Sequence, residues 1–142
     1  MAELTITSSA CLATGSFQKT LGQAGETITA GMVVYKKSSD GKMYKAQNDG
    51  TLEESCSGVD NGVSLTDSVL AGQYFVYLTG GTITIGATVV AGTAYYLGAT
   101  AGSISLFSDI GTGGTKYVTI IGFATTTAII NVAINPTGTF KA

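Results

Sequence analysis

The sequence predicts an all-β protein, an antiparallel sandwich or barrel. Short runs of β-branched and aromatic residues recur along the chain, with Gly, Asn, Asp and Ser between them. No stretch holds apolar residues at helical spacing between caps. The 22 Thr and 20 Gly favour pleated surface and tight turns.

Leu4-Thr5-Ile6-Thr7 alternates as a first strand. Residues 8–25 are rich in Ser, Ala and Gly and read as irregular. Met32 to Tyr35 is a strand. Ser38-Ser39-Asp40-Gly41 turns the chain, and Lys42 to Ala46 returns as its partner. Asn48-Asp49-Gly50 and Asp60-Asn61-Gly62 read as further turns, with a long loop from Asp49 to Asp60. Gln73 to Leu78 is a buried strand; Gly80-Gly81 then turns it into Thr82-Ile83-Thr84-Ile85, Ile on one face and Thr on the other. Ala94 to Leu97, Ser103 to Leu106, Tyr117 to Ile120 and Ala128 to Ile134 complete about ten strands, the spacing of a sandwich or barrel. The tail from Asn135 onward, with Pro136, is expected to be extended.

The chain also echoes itself. Ile28-Thr29-Ala30-Gly31-Met32-Val33-Val34-Tyr35 resembles Val89-Val90-Ala91-Gly92-Thr93-Ala94-Tyr95-Tyr96 at an offset of 61 positions. Later, Gly62-Val63-Ser64-Leu65 parallels Gly122-Phe123-Ala124-Thr125. Two related halves packed face to face are therefore expected; the alternative is that Ala-Gly is simply a common turn here. The chain divides into residues 1–24, an N-terminal arm or first strand, and 25–142, a β-sandwich domain.

With 142 residues, one domain burying roughly two-thirds of its unfolded surface is expected. Only 11% of residues are charged, against about 25% in an average domain, so the polar surface is mostly neutral. Such a surface resists association weakly, which predicts that much of it is covered in the working state; the alternative is an ordinary β domain that carries few charges. All seven basic residues are lysine. Without the arginine fork, nucleic-acid binding is not expected, and Lys36, Lys37, Lys42 and Lys45 read as a solvated hairpin tip. The start, Met1-Ala2-Glu3-Leu4, lacks the basic and apolar regions of a signal peptide, and no run approaches the ~18 residues of a membrane helix. Synthesis in a cytoplasm, with no membrane partner, is the expectation. Cys11 and Cys56 then read as free thiols rather than a disulfide.

Catalytic chemistry is not expected. There is no histidine, hence no Ser-His-Asp or Cys-His pair and no His-ligated metal. Glu53 and Glu54 are adjacent and would point apart on an extended chain. Gly111-Thr112-Gly113-Gly114 lacks the spacing and lysine of a phosphate loop and reads as a hairpin connection. The Asn-Asp-Gly and Asp-Asn-Gly turns lack calcium-loop spacing. No catalytic, cofactor or metal residues are assigned. Tyr74, Tyr77, Tyr95 and Tyr96 read as packed strand residues, with a sugar- or partner-binding patch as the alternative.

Ala2-Glu3-Leu4-Thr5-Ile6-Thr7, Ala24-Gly25-Glu26-Thr27-Ile28-Thr29-Ala30-Gly31, Thr82 to Thr88 running into Ala91-Gly92-Thr93-Ala94-Tyr95-Tyr96-Leu97, and Gly122-Phe123-Ala124 occur in this order over nearly the whole chain. Together they resemble the capsid decoration, or cement, proteins of tailed bacteriophages. The resemblance implies a β-sandwich or jelly-roll-like fold, no catalysis, and a place on the outer capsid surface. Its implied partners are the major capsid protein and further copies of the chain, as dimer or trimer. The segment Glu53 to Asp60 lies outside the resemblance. Leu4, Ile6, Leu12 and Phe17 are the candidate capsid or subunit contacts, because they are apolar residues in a stretch that otherwise reads as an arm. A tail-fibre or receptor-binding β module is the alternative function.

Overall fold

The computed structural model of the chain describes residues 3–58, 60–67, 69–110 and 116–140. Among these residues nine strands form one sheet: β1 (Leu12–Gln23), β2 (Val33–Lys36), β3 (Met43–Lys45), β4 (Asn61–Ser64), β5 (Tyr74–Thr84), β6 (Ala94–Leu97), β7 (Ile104–Ser105), β8 (Tyr117–Ala124) and β9 (Ile129–Phe140). Every ladder is antiparallel. The only helical elements among the described residues are three-residue 3₁₀ turns at Ser8–Ala10, Glu53–Ser55 and Phe107–Asp109. The all-β reading holds.

The strand order is β3-β2-β4-β5-β9-β8-β6-β7, with β1 added along β5. It reads the same from both ends: two four-strand units meet where β5 pairs β9. Each unit runs hairpin, 3₁₀ turn, then two long-range strands. The registers match as well. A shift of 61 positions carries the pairs Tyr35–Tyr44 and Lys36–Met43 onto Tyr96–Ser105 and Leu97–Ile104. The pair Val34–Gly62 corresponds to Tyr95–Gly122, and Val63–Leu78 to Phe123–Asn131. Gly62 and Gly122 even share one reason for being glycine. A Cβ would lie 2.1 Å from the Leu78 carbonyl oxygen in one unit and 2.1 Å from the Asn131 oxygen in the other. The turns entering β2 and β6 also match: Gly31 and Gly92 have φ of +87° and +83°, and Met32 and Thr93 donate back to Thr29 and Val90. That is type II turn geometry, which needs glycine at its third residue.

The units do not present equivalent faces to each other. Val33, Tyr35, Val63 and Leu78 of the first unit point into the large shared core. Their counterparts Ala94, Tyr96, Phe123 and Asn131 point out of the second unit. The opposite face of the second unit, with Tyr95, Ile104 and Ile130, supplies its side of that core. In the first unit the matching residues Val34, Met43 and Tyr77 fill a second, smaller core with Ala24, Ile28 and Val69. β2 is therefore buried on both faces, which explains a continuous Val-Val-Tyr run in place of alternation. Each fully buried aliphatic side chain here contributes roughly 1.5–3 kcal/mol.

Several local expectations are corrected. Gly80-Gly81 is not a turn; β5 runs straight through it, with a register shift opposite Gln18 and Lys19. Gly81, at φ +112°, lets β1 cross closely: a Cβ there would meet Phe17 Cα at 2.5 Å. Asn61 and Gly62 belong to β4 rather than to a turn. The segment 12–23, read as irregular, is the twelve-residue strand β1, because backbone pairing with β5 outweighs its poor intrinsic propensity. The loop 49–60 contains the 3₁₀ turn Glu53–Ser55, so Glu53 and Glu54 are not on extended chain. The tail is extended as expected, and it continues β9 through Pro136 to Phe140 beside an irregular stretch of β8. The glycine-rich segment 111–114 lies outside the described residues.

Candidate functional site

The four candidate contact residues separate into two pairs. Leu4 and Ile6 are partly buried against the shared core. They belong not to the expected first strand, since residues 4–7 form none, but to a strap, residues 3–11, that ties the units together. The Glu3 carboxylate accepts hydrogen bonds from the Thr100 N–H (2.9 Å) and the Ser103 hydroxyl (2.8 Å). The Leu4 N–H donates to Ile104 (2.8 Å), and the Thr7 N–H to Gly86 (2.8 Å). Ser8 donates to Asp67 on the first unit's side (3.1 Å). Burial pushes the Glu3 carboxyl up, but the donors from Thr100 and Ser103 outweigh it and hold it below the usual range. Leu12 and Phe17 stand outside this strap, 65% and 40% exposed on β1.

β1 is a long strand that pairs along one edge only among the described residues. At one end of the sheet, β3 is covered: Gly25 N–H donates to the Met43 carbonyl, and Glu26 accepts from the Lys45 N–H, both at 2.8 Å. At the other end, β7 is covered by Glu3 and Leu4. β1 pairs with β5 along its length and with no other described strand. Its side chains are exposed from Gly15 to Leu21, and Lys19 is its single charge. Natural proteins shield such edges with charges, proline or a covering segment; β1 has almost none of these. Leu21 joins Leu12 and Phe17 as an exposed apolar residue, 64% exposed.

Beside Phe17 the surface dips at Gly80 and Gly81. It continues into a shallow groove of about 640 Å³ lined by Gly80, Ile120, Phe123, Val132 and Ala133. The absence of side chains at the glycines opens this path between β1 and the face of β8 and β9.

A second groove, about 470 Å³, lies between the β2–β3 hairpin and the 3₁₀ turn Glu53–Ser55. Its polar groups are occupied with one another. Lys45 pairs with Glu26 at 3.9 Å, and Glu53 accepts from the Ser38 N–H. Glu54 accepts from Gln47 (2.7 Å) and Thr51. Nearby, Tyr44 donates to Asp40 (2.6 Å). Burial, with the Glu54 and Glu53 charges adding, pushes the Tyr35 hydroxyl up to about 12. These carboxylates hold the hairpin against the turn, which gives Glu53 and Glu54 a structural place. Among the described residues no three His, Cys, Asp or Glu are grouped to hold a metal, and no helix is long and apolar enough to cross a membrane.

Both cysteines are free. Cys56 is wholly buried in the left-handed conformation (φ 66°), and burial pushes its thiol up to about 12. Cys11 donates to the Ile85 carbonyl at 3.2 Å; burial, then the Asp67 charge, pushes it up to about 11. Of the tyrosines, Tyr77 and Tyr95 are core, Tyr96 is half-buried, and Tyr74 is 67% exposed.

Sequence reading missed Leu21 and Phe123. Nothing in the Ser- and Gly-rich run 12–23 marks a strand face. Phe123 could have been found from the internal echo, where it stands in the place of Val63. Comparison with known proteins finds no matching family model, no matching curated protein and no matching solved structure.

Proposed function

We propose that this chain is a non-enzymatic structural protein of a phage virion, which binds the outer surface of the capsid and stabilises the shell by bridging capsomers. The observation that carries the reading is β1: a twelve-residue strand with a bare edge, exposed apolar residues and one charge. An edge of this kind is a template for pairing with another chain. The described residues cover β3 and β7 at the two ends of the sheet, which gives the open edge of β1 the character of a contact left for a partner. The low charge of the sequence and its resemblance to cement proteins supply the identity of that partner, the major capsid protein. Many equivalent shell sites turn moderate single contacts into strong attachment.

The test is quantitative mass spectrometry of purified particles carrying the wild-type chain or the variant L12S/F17S/L21S. Hundreds of wild-type copies per particle and at least a tenfold loss in the variant are expected, with the variant still folded by circular dichroism. A few dozen copies or fewer would place the chain at the tail, and absence from particles would end the virion reading.

A further inference from the structure

We propose that a pocket at the rim of the smaller core, between the end of β1 and the β2–β3 hairpin, binds a neutral sugar ring. This site lies on the first unit alone and does not depend on the capsid reading.

The pocket holds about 300 Å³, and Gln23, Lys36, Asp60, Tyr74 and Tyr77 stand in its wall. That is the lower end of the range for small-molecule sites, with room for a single ring. Tyr77 supplies a fixed hydroxyl. Its ring is wedged between β1 and β4, where a Cβ on Gly22 would stand 3.0 Å and one on Gly62 2.7 Å from ring carbons. Tyr77 is only 3% exposed, yet its hydroxyl has no hydrogen-bond partner among the described residues. Buried hydroxyls normally have one, and the pocket is where a partner would sit. Burial, then the Asp60 charge, pushes this hydroxyl above its ordinary range, so the carboxylate lies within electrostatic reach of it.

The fold does not demand these polar groups. By strand alternation Lys36 and Tyr77 share the face of Val34 and Met43. Their matches in the second unit are Leu97 and Ile130, both fully buried. Aliphatic residues thus satisfy the strand pattern at both places. The first unit carries an ammonium and a hydroxyl there instead, with Asp60 beside them.

The chemistry selects the ligand. Lys36 Nζ and Asp60 Oδ2 are 3.8 Å apart, balanced in charge but outside hydrogen-bond distance. Lys36 can only donate, Asp60 can only accept, and the Tyr77 hydroxyl can do either. A phosphate or carboxylate would be repelled by Asp60, and a cation by Lys36. Adjacent sugar hydroxyls each donate and accept without charge, which fits this set. Gln23 gives its side-chain N–H to the Gly72 carbonyl at 3.0 Å and keeps its oxygen for a hydroxyl. Tyr74, 67% exposed, adds an aromatic surface for the apolar C–H face of a ring.

The test is saturation-transfer NMR on the purified full-length chain. The probes are the methyl glycosides of glucose, galactose, mannose and N-acetylglucosamine and, separately, inorganic phosphate. At least one glycoside is expected to bind with a Kd of about 1 mM or tighter. D60A and Y74A are each expected to weaken that binding about tenfold, and Y77F several-fold, the scale of one lost contact. V90S, at an exposed apolar place on the second unit, is expected to leave it unchanged. Circular dichroism accompanies each variant, and Y77F, which keeps the wedged ring, decides the matter should D60A lose its fold. Failure of every glycoside to bind at tens of millimolar, or binding of phosphate in their place, would overturn the proposal. So would glycoside binding unmoved by D60A, Y74A and Y77F, or weakened equally by V90S. No particles enter this measurement, so the sugar site and the β1 contact can fail independently.

Discussion

The two units of the sheet share topology, register and turn chemistry, yet they bury opposite faces. Val63 and Phe123 hold the same place, each paired with a residue of the next strand; one is fully buried and the other is 54% exposed. Gly62 and Gly122, one step earlier, face the same steric limit in both units. The difference shows which constraints belong to the strand pattern and which to the neighbour. Backbone packing dictates the glycines wherever the motif occurs. Side-chain burial depends on what lies over the face, and the repeat tolerates Val or Phe, Leu or Asn, according to that cover.

The comparison breaks most sharply at Leu78 and Asn131. Leu78→Ala removes a fully buried side chain from the shared core and is expected to cost about 2–5 kcal/mol in urea unfolding. Asn131→Ala, at the matching exposed place, should stay within about 0.5 kcal/mol of wild type. Equal losses at the two positions would mean that the units are covered alike and that the face assignment is wrong. The comparison is sharpened at the glycines. Gly62→Ala and Gly122→Ala should each cost roughly 1–3 kcal/mol, since a methyl group must displace backbone in both cases. A large effect at one and none at the other would dissolve the structural equivalence.

Legibility followed the same division. The β2–β3 hairpin could be read because a β-rich run meets a Ser-Ser-Asp-Gly turn, so local chemistry and tertiary role agree. Gly80-Gly81 misled because two glycines signal a turn locally, whereas here they admit the crossing of β1. β1 itself could not be read, since its conformation comes from pairing with β5 rather than from its own residues. At the candidate site, Leu4, Ile6, Leu12 and Phe17 all registered as apolar residues without a core. Sequence carries no sign that the first two close the shared core while the last two face outward. That distinction arises from the strap's long-range bonds to Thr100, Ser103 and Ile104.

The smallest expected effect concerns how the two sheet ends are closed. The first unit's end is closed next to β1 by Gly25 and Glu26; the second unit's end depends on the distant Glu3, whose carboxylate accepts from Thr100 and Ser103. Those bonds favour the charged form, so Glu3 has a lower pKa folded than its ordinary 4.5. A depressed carboxyl contributes stability above its unfolded value and loses it as pH falls through the folded one. Glu3→Gln should therefore lower stability by about 1 kcal/mol near neutral pH, the scale of a hydrogen bond in partial contact with water. In a chain of this size that is a Tm drop of about 2–4 °C. The gap between wild type and variant should then close as the pH falls below the ordinary 4.5 and through the lowered folded value, where the wild-type carboxyl also becomes neutral. A gap that stays constant across that range would show that the strap is held by its apolar residues Leu4 and Ile6 alone, making the closure of the second unit a packing contact rather than an electrostatic one.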